Sequence, residues 1–170
     1  MRSGKRGSDI SARRARPRVA LAEYLVQGVE LTEAELSRLA RLLEEEGFRV
    51  EPLPPGGLRA GGLEVRGWRV EAWGPGAELA VLVKARSVLR SMGFRVLLAG
   101  GRLAAARGQV RVSVEVHGRV AVVRVWRRGY AWAAANGSEV LRGFEERAQR
   151  MGLRVKRVRS ELVEPRKRIL

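Results

Sequence analysis

The chain has 170 residues, enough for one domain with a substantial core or for two compact halves. Lys plus Arg total 34 against 18 Asp plus Glu, giving a formal net charge of +16, a field that attracts polyanions and above all nucleic-acid phosphates. With no cysteine and one histidine, the composition excludes a disulfide framework and a thiolate metal site, so no metal or other cofactor is expected.

Residues 1–19 carry seven basic groups and one acid among Gly and Ser, with little to bury, and read as a disordered basic arm able to hold phosphate. Residues 20–80 carry six basic and eleven acidic groups, whereas residues 81–170 carry twenty-one basic and six acidic. A small N-terminal α/β unit over residues 20–75 and a basic C-terminal one over residues 76–170 follow from that division and from the linker Gly74-Pro75-Gly76. The overall class is α/β in the α+β sense, with small mixed sheets packed by helices in helix-Gly-strand units. The longest apolar runs are too short to span a bilayer and no segment has the form of a signal peptide, so the expected location is the cytoplasm, with no membrane partner. Absent cysteine and a single aspartate, Asp9, suit a heat-adapted source.

Thr32-Glu33-Ala34-Glu35 is a capping box that opens a helix, with Leu36, Leu39, Ala40 and Leu43 on one face and Gly47 as its stop. A strand is expected over residues 48–53, and extended chain over residues 63–73 with a bend near Gly67. A second helix follows the linker through Leu79, Leu82, Val83, Leu89 and Met92 to Gly93, and residues 94–99 form a strand. Val110, Val112, Val114 and Val116 alternate with polar residues as a half-buried strand, and His117-Gly118 turns into a strand over residues 119–126. A third helix starts at Ser138 and runs to Gly152. Residues 153–159 form a strand, and residues 166–170 a short final one. Gly47-Phe48-Arg49-Val50, Gly93-Phe94-Arg95-Val96 and Gly152-Leu153-Arg154-Val155 repeat one helix-stop-strand pattern.

Arg124, Arg127, Arg128, Tyr130 and Trp132, around Trp126, mix guanidinium and aromatic groups in a way that suits stacked bases and phosphates of RNA. Arg154, Lys156, Arg157 and Arg159, followed by Arg166, Lys167 and Arg168, make a second basic stripe, either a charged sheet edge or a contact for RNA or another subunit. His117 is the one side chain suited to proton transfer near neutral pH, but its turn position favours a structural or solvated role. No phosphate-binding loop, nucleophile elbow or paired-carboxylate motif accompanies it.

Leu89-Arg90-Ser91-Met92-Gly93-Phe94-Arg95-Val96, the run His117-Gly118-Arg119-Val120-Ala121-Val122-Val123 and Ala22-Glu23-Tyr24-Leu25-Val26 resemble the archaeal tRNA-splicing endonuclease family in its C-terminal domain and the helix before it. The resemblance implies a helix at residues 22–26 and an assembly that cleaves precursor tRNA with a Tyr, a His and a Lys. Here the expected tyrosine region, residues 100–108, has none, Arg150 stands near the expected Lys, and only His117 remains. It therefore implies a non-catalytic, RNA-binding subunit that forms a hetero-oligomer with a catalytic endonuclease subunit. Ser160-Glu161-Leu162-Val163-Glu164 would be a reduced form of the family's acidic docking loop. A free-standing RNA- or DNA-binding protein, associated with ribosomes or chromatin, is the alternative, and a nuclease using His117 a third reading.

Overall fold

The computed structural model describes residues 19–127 and 134–163. The basic arm 1–18, residues 128–133 and residues 164–170, with the expected final strand, lie outside them. The described residues form an α+β fold of three helices and two sheets, and no helix among them is long and apolar enough to cross a membrane.

The first strand, β1 (Val19–Val29), stands where the resemblance implies a helix at residues 22–26. Its run Val19-Ala20-Leu21-Ala22 is buried throughout, as in a strand covered on both faces, and this removes the alternation that marks a half-exposed strand. Thr32 caps α1 (Glu33–Glu45): its hydroxyl accepts from Glu35 N–H at 3.2 Å, and Glu35 Oε1 accepts from Thr32 N–H at 2.8 Å. The strand expected at residues 48–53 shortens to β2 (Glu51–Pro52), and β3 (Leu58–Ala60) forms just after the Pro- and Gly-rich run 52–57, where no element was expected. The extended chain at 63–73 is a hairpin, β4 (Leu63–Arg66) and β5 (Arg69–Ala72), turning at Gly67-Trp68, both at positive φ.

Next come α2 (Ala77–Ser91), β6 (Arg95–Ala99), β7 (Arg102–Arg107), β8 (Val110–His117) and β9 (Val120–Arg127). Helix α3 spans Ala134–Arg150, four residues upstream of the expected start at Ser138; Ala134 and Ala135 favour the earlier start, whereas Asn136 and Gly137 do not. It leads into β10 (Leu153–Val163). The three helix-stopping glycines, Gly47, Gly93 and Gly152, have φ of 91°, 90° and 93°. After α1 and α2 the next residue closes the last turn, Phe48 N–H donating to Leu43 O and Phe94 N–H to Leu89 O, as a left-handed stop requires.

The large sheet has the order β10-β1-β9-β8-β7-β6 and the small one β2-β3-β4-β5. Every described strand pairing is antiparallel, where a mixture of directions was expected. The expected division at 75/76 does not follow the sheets: β1 lies in the large sheet with strands from the second half. One apolar core joins both sheets and the helices, with Leu39, Leu63, Val83, Leu103, Val123 and Phe144 among its members. Val112, Val114, Val116, Ala121, Val123 and Val125 point to the helix-covered face. The intervening side chains, from Arg111 to His117 on β8 and from Val120 to Trp126 on β9, lie on the opposite face.

Two polar contacts fix the helices. Lys84 of α2, 2% exposed, sets its ammonium 2.6 Å from Glu35 Oε1, the same oxygen that caps α1. Buried Tyr24 donates its hydroxyl to Glu145 of α3, which also accepts from Arg157 Nε at 2.6 Å. Burial and then Glu145 push the Tyr24 hydroxyl far above its usual pKa.

Burial raises the Glu35 carboxyl, but Lys84, Ser87 and the Thr32 N–H together outweigh it and hold the group below its ordinary 4.5. A depressed folded-state pKa adds stability above the unfolded value, and that stability is lost as pH falls through the folded one. The Lys84→Ala variant should lose about 3–5 kcal/mol at pH 7 by leaving a buried carboxylate unpaired. Urea unfolding should show this difference shrinking as pH falls below 4.5.

Candidate nucleic-acid interface

Sheet register decides which cations lie together. Arg95 of β6 pairs with Ala106 of β7, Ala106 with Arg111 of β8, and Arg111 with Trp126 of β9. Arg95 and Arg111 therefore stand on the face away from the helices, two strand spacings or about 10 Å apart, with only an alanine between them. One position along, Arg107 pairs with Val110 and Val110 with Arg127, a second arginine pair on the helix-covered face. Four guanidinium groups thus straddle one end of the large sheet.

Backbone acceptors hold two of them. Arg111 Nη1 donates to Gly108 O at 2.6 Å and to Val110 O at 3.1 Å. Arg107 Nη1 donates to Met92 O at 2.7 Å, its guanidinium 4.6 Å from the Phe94 ring centre. Arg147 of α3 donates to Ser91 O at 2.7 Å, so two arginines satisfy carbonyls at the C-terminal end of α2, where the helix dipole favours cations. These bonds orient the guanidinium groups without neutralising them. Among the described residues no carboxylate lies within ion-pairing distance of Arg95, Arg107, Arg111 or Arg127.

Three further arginines lie near one another on α1 and α2. Burial, and then the neighbouring charges of Arg38 and Arg90, lower the Arg86 guanidinium below its ordinary range. A like-charge cluster of this kind stores repulsion that a bound polyanion relieves.

The other sequence candidates fare differently. Arg124 is on the open face but pairs with Glu115 at 3.2 Å, and the same carboxylate lies 3.5 Å from Arg102 and 3.4 Å from His117 Nε2. Arg159 is held by Glu23 at 3.1 Å and Glu161 at 2.8 Å. Arg157 turns toward the helix side, to Glu145 and the Tyr24 ring. Lys156 is exposed, and Arg154 lies against Gly28, where a Cβ would come 2.3 Å from its guanidinium. Two of the four β10 cations, Arg157 and Arg159, are therefore compensated, whereas, among the described residues, Arg154 and Lys156 are not. Residues 160–163, read as part of a docking loop, continue β10 instead. Arg128, Tyr130, Trp132, Arg166, Lys167 and Arg168 lie outside the described residues.

His117 ends β8 with its side chain 69% exposed and the charges around Glu115 as its setting. Among the described residues no group of three or more His, Asp or Glu forms a candidate metal centre. Arg95, Arg107 and Arg111 were not singled out from the sequence. Their signal is the pairing of β6, β7 and β8, and β7 has no mark in the sequence because Arg-Leu-Ala-Ala-Ala-Arg has little strand character. No protein-family model, curated protein or solved structure matches this chain.

Arg111→Gln and Arg159→Gln remove the same charge from different settings. The first should elute from heparin at clearly lower salt than the parent, and the second nearly with it, because Glu23 and Glu161 already offset Arg159. Equal shifts would mean that net charge, not pairing, governs polyanion contact.

Proposed function

We propose that this protein binds RNA through the arginine-bearing end of its large sheet and supplies binding surface rather than cleavage chemistry. The observation that carries this reading is the set Arg95, Arg107, Arg111 and Arg127, on four adjacent strands and unpaired with carboxylate among the described residues. Oriented guanidinium groups match phosphate oxygens through paired N–H donors. Trp126, half-buried beside Arg111, adds an aromatic surface at the same place. The surroundings of His117 favour binding over proton transfer. An exposed imidazole next to one carboxylate and two arginines has no nucleophile positioned beside it among the described residues, and the turn itself is held by the Gly118 N–H donating to Glu78 Oε2 at 2.7 Å.

The resemblance to tRNA-splicing endonucleases suggests precursor tRNA as the RNA and a catalytic endonuclease subunit as the partner. Strand β10 supports a chain-chain contact, since it forms one edge of the large sheet and exposes 53% of Val158. The helix that the resemblance implies at residues 22–26 has no counterpart, so RNA binding stands independently of that family.

Salt titration of RNA binding tests the proposal. The logarithm of affinity should fall linearly with the logarithm of salt, and joint Arg95→Gln, Arg111→Gln and Arg127→Gln substitution should reduce the slope by about 2, at roughly 0.7 per lost phosphate contact. An unchanged slope would remove this surface from the binding site. The chain alone, in chelator, should leave a bulged precursor tRNA intact; cleavage would overturn the non-catalytic part.

A further inference from the structure

Where β1 runs past the end of β9, still paired with β10, and meets β5 of the small sheet, a cavity of about 190 Å³ is lined by Gln27, Gly28, Glu71, Trp73 and Arg119, among others. It lies on the order of 20 Å along β8 from the arginine end, a separation set by strand rise. It is smaller than the roughly 300 Å³ at which drug-sized pockets begin and suits one planar ring system. The Arg119 guanidinium carbon lies over the Trp73 ring, 4.6 Å from its centre, and the Arg119 residue is exposed, so the pair offers a cation and an aromatic surface to a planar ligand. Backbone pairing holds the platform in place, since Val26 N–H donates to Arg119 O at 2.8 Å. Glu71 offers two acceptor oxygens and forms no ion pair among the described residues, and Gln27 adds an amide with both a donor and an acceptor.

We infer that this cavity is a guanine-binding site. The argument rests on donor and acceptor order. A carboxylate accepts two hydrogen bonds side by side, and among the standard bases only guanine presents two adjacent N–H donors, its ring N1–H and its exocyclic amine. Gln27 donates to the guanine carbonyl or ring nitrogen, and the Arg119 plane stacks on the base. Arg154, lying over Gly28 without a carboxylate partner among the described residues, is placed to neutralise the adjoining phosphate. The absence of a side chain at residue 28 is what leaves room for that guanidinium.

The ligand is guanine joined to a phosphate, from an unpaired nucleotide of RNA or from a free guanine nucleotide; the first source rests on the RNA-binding reading above. The test uses the full chain and short uridine-rich RNAs that carry guanine, inosine or adenine at one central position. Guanine should be preferred over adenine by roughly tenfold. Inosine, which lacks the exocyclic amine, should lose part of that preference, and Glu71→Gln should remove it without changing the salt slope. Glu71 is exposed, so the variant is expected to fold. Preference for GMP over AMP would identify a site open to free nucleotides, and preference seen in oligomers alone an RNA base. Equal binding of all three oligomers would overturn the guanine site while leaving RNA binding intact. If no oligomer binds at low salt the RNA reading fails, and GMP against AMP then decides the cavity, with equality overturning it.

Discussion

The insertion of β1 between β9 and β10 is the constraint from which the rest of the architecture follows. Its backbone is paired along both edges, so the last strand joins the sheet only through the first. Register is fixed by the buried run at its start and by Tyr24, whose ring packs near Phe144 and whose hydroxyl meets Glu145. A slip of one residue would turn Tyr24 to the opposite face and release α3 from the sheet. The same register brings Gln27 and Gly28 against β5 and the β8–β9 turn, and so builds the cavity beside Trp73.

Much of the fold was legible wherever local chemistry decides. The capping box at Thr32, the glycine stops after the helices, and the alternating valines of β8 each state their structure within a few residues. What escaped are elements decided by distant partners. Strand β1 is buried over consecutive residues at its start and so shows no period of two there. Strand β7 is rich in alanine, and it is extended because β6 and β8 flank it. In both cases tertiary pairing overrides local propensity.

The candidate site was legible as a composition but not as a place. Counting cations locates them along the chain and says nothing of what they face. Arg124, Arg157 and Arg159 looked the equals of Arg127 in sequence, yet carboxylates from other strands or from α3 compensate all three. Glu115 does this for Arg124 and Arg102 together, across neighbouring strands. Arg95, Arg107 and Arg111 stand apart because, among the described residues, no carboxylate lies within ion-pairing distance of them.

Arg38, Arg86 and Arg90 lie close enough on α1 and α2 to repel one another, and a bound anion would offset that repulsion. A fold that carries unrelieved repulsion gains free energy from any polyanion that binds only its native state, by an amount that grows with the logarithm of ligand concentration. Molecules left without such a ligand open more often, and opened chains are the ones that proteases remove. A polyanion bound only to the folded chain would therefore also shield it from proteolysis, in proportion to how rarely the bound molecule opens.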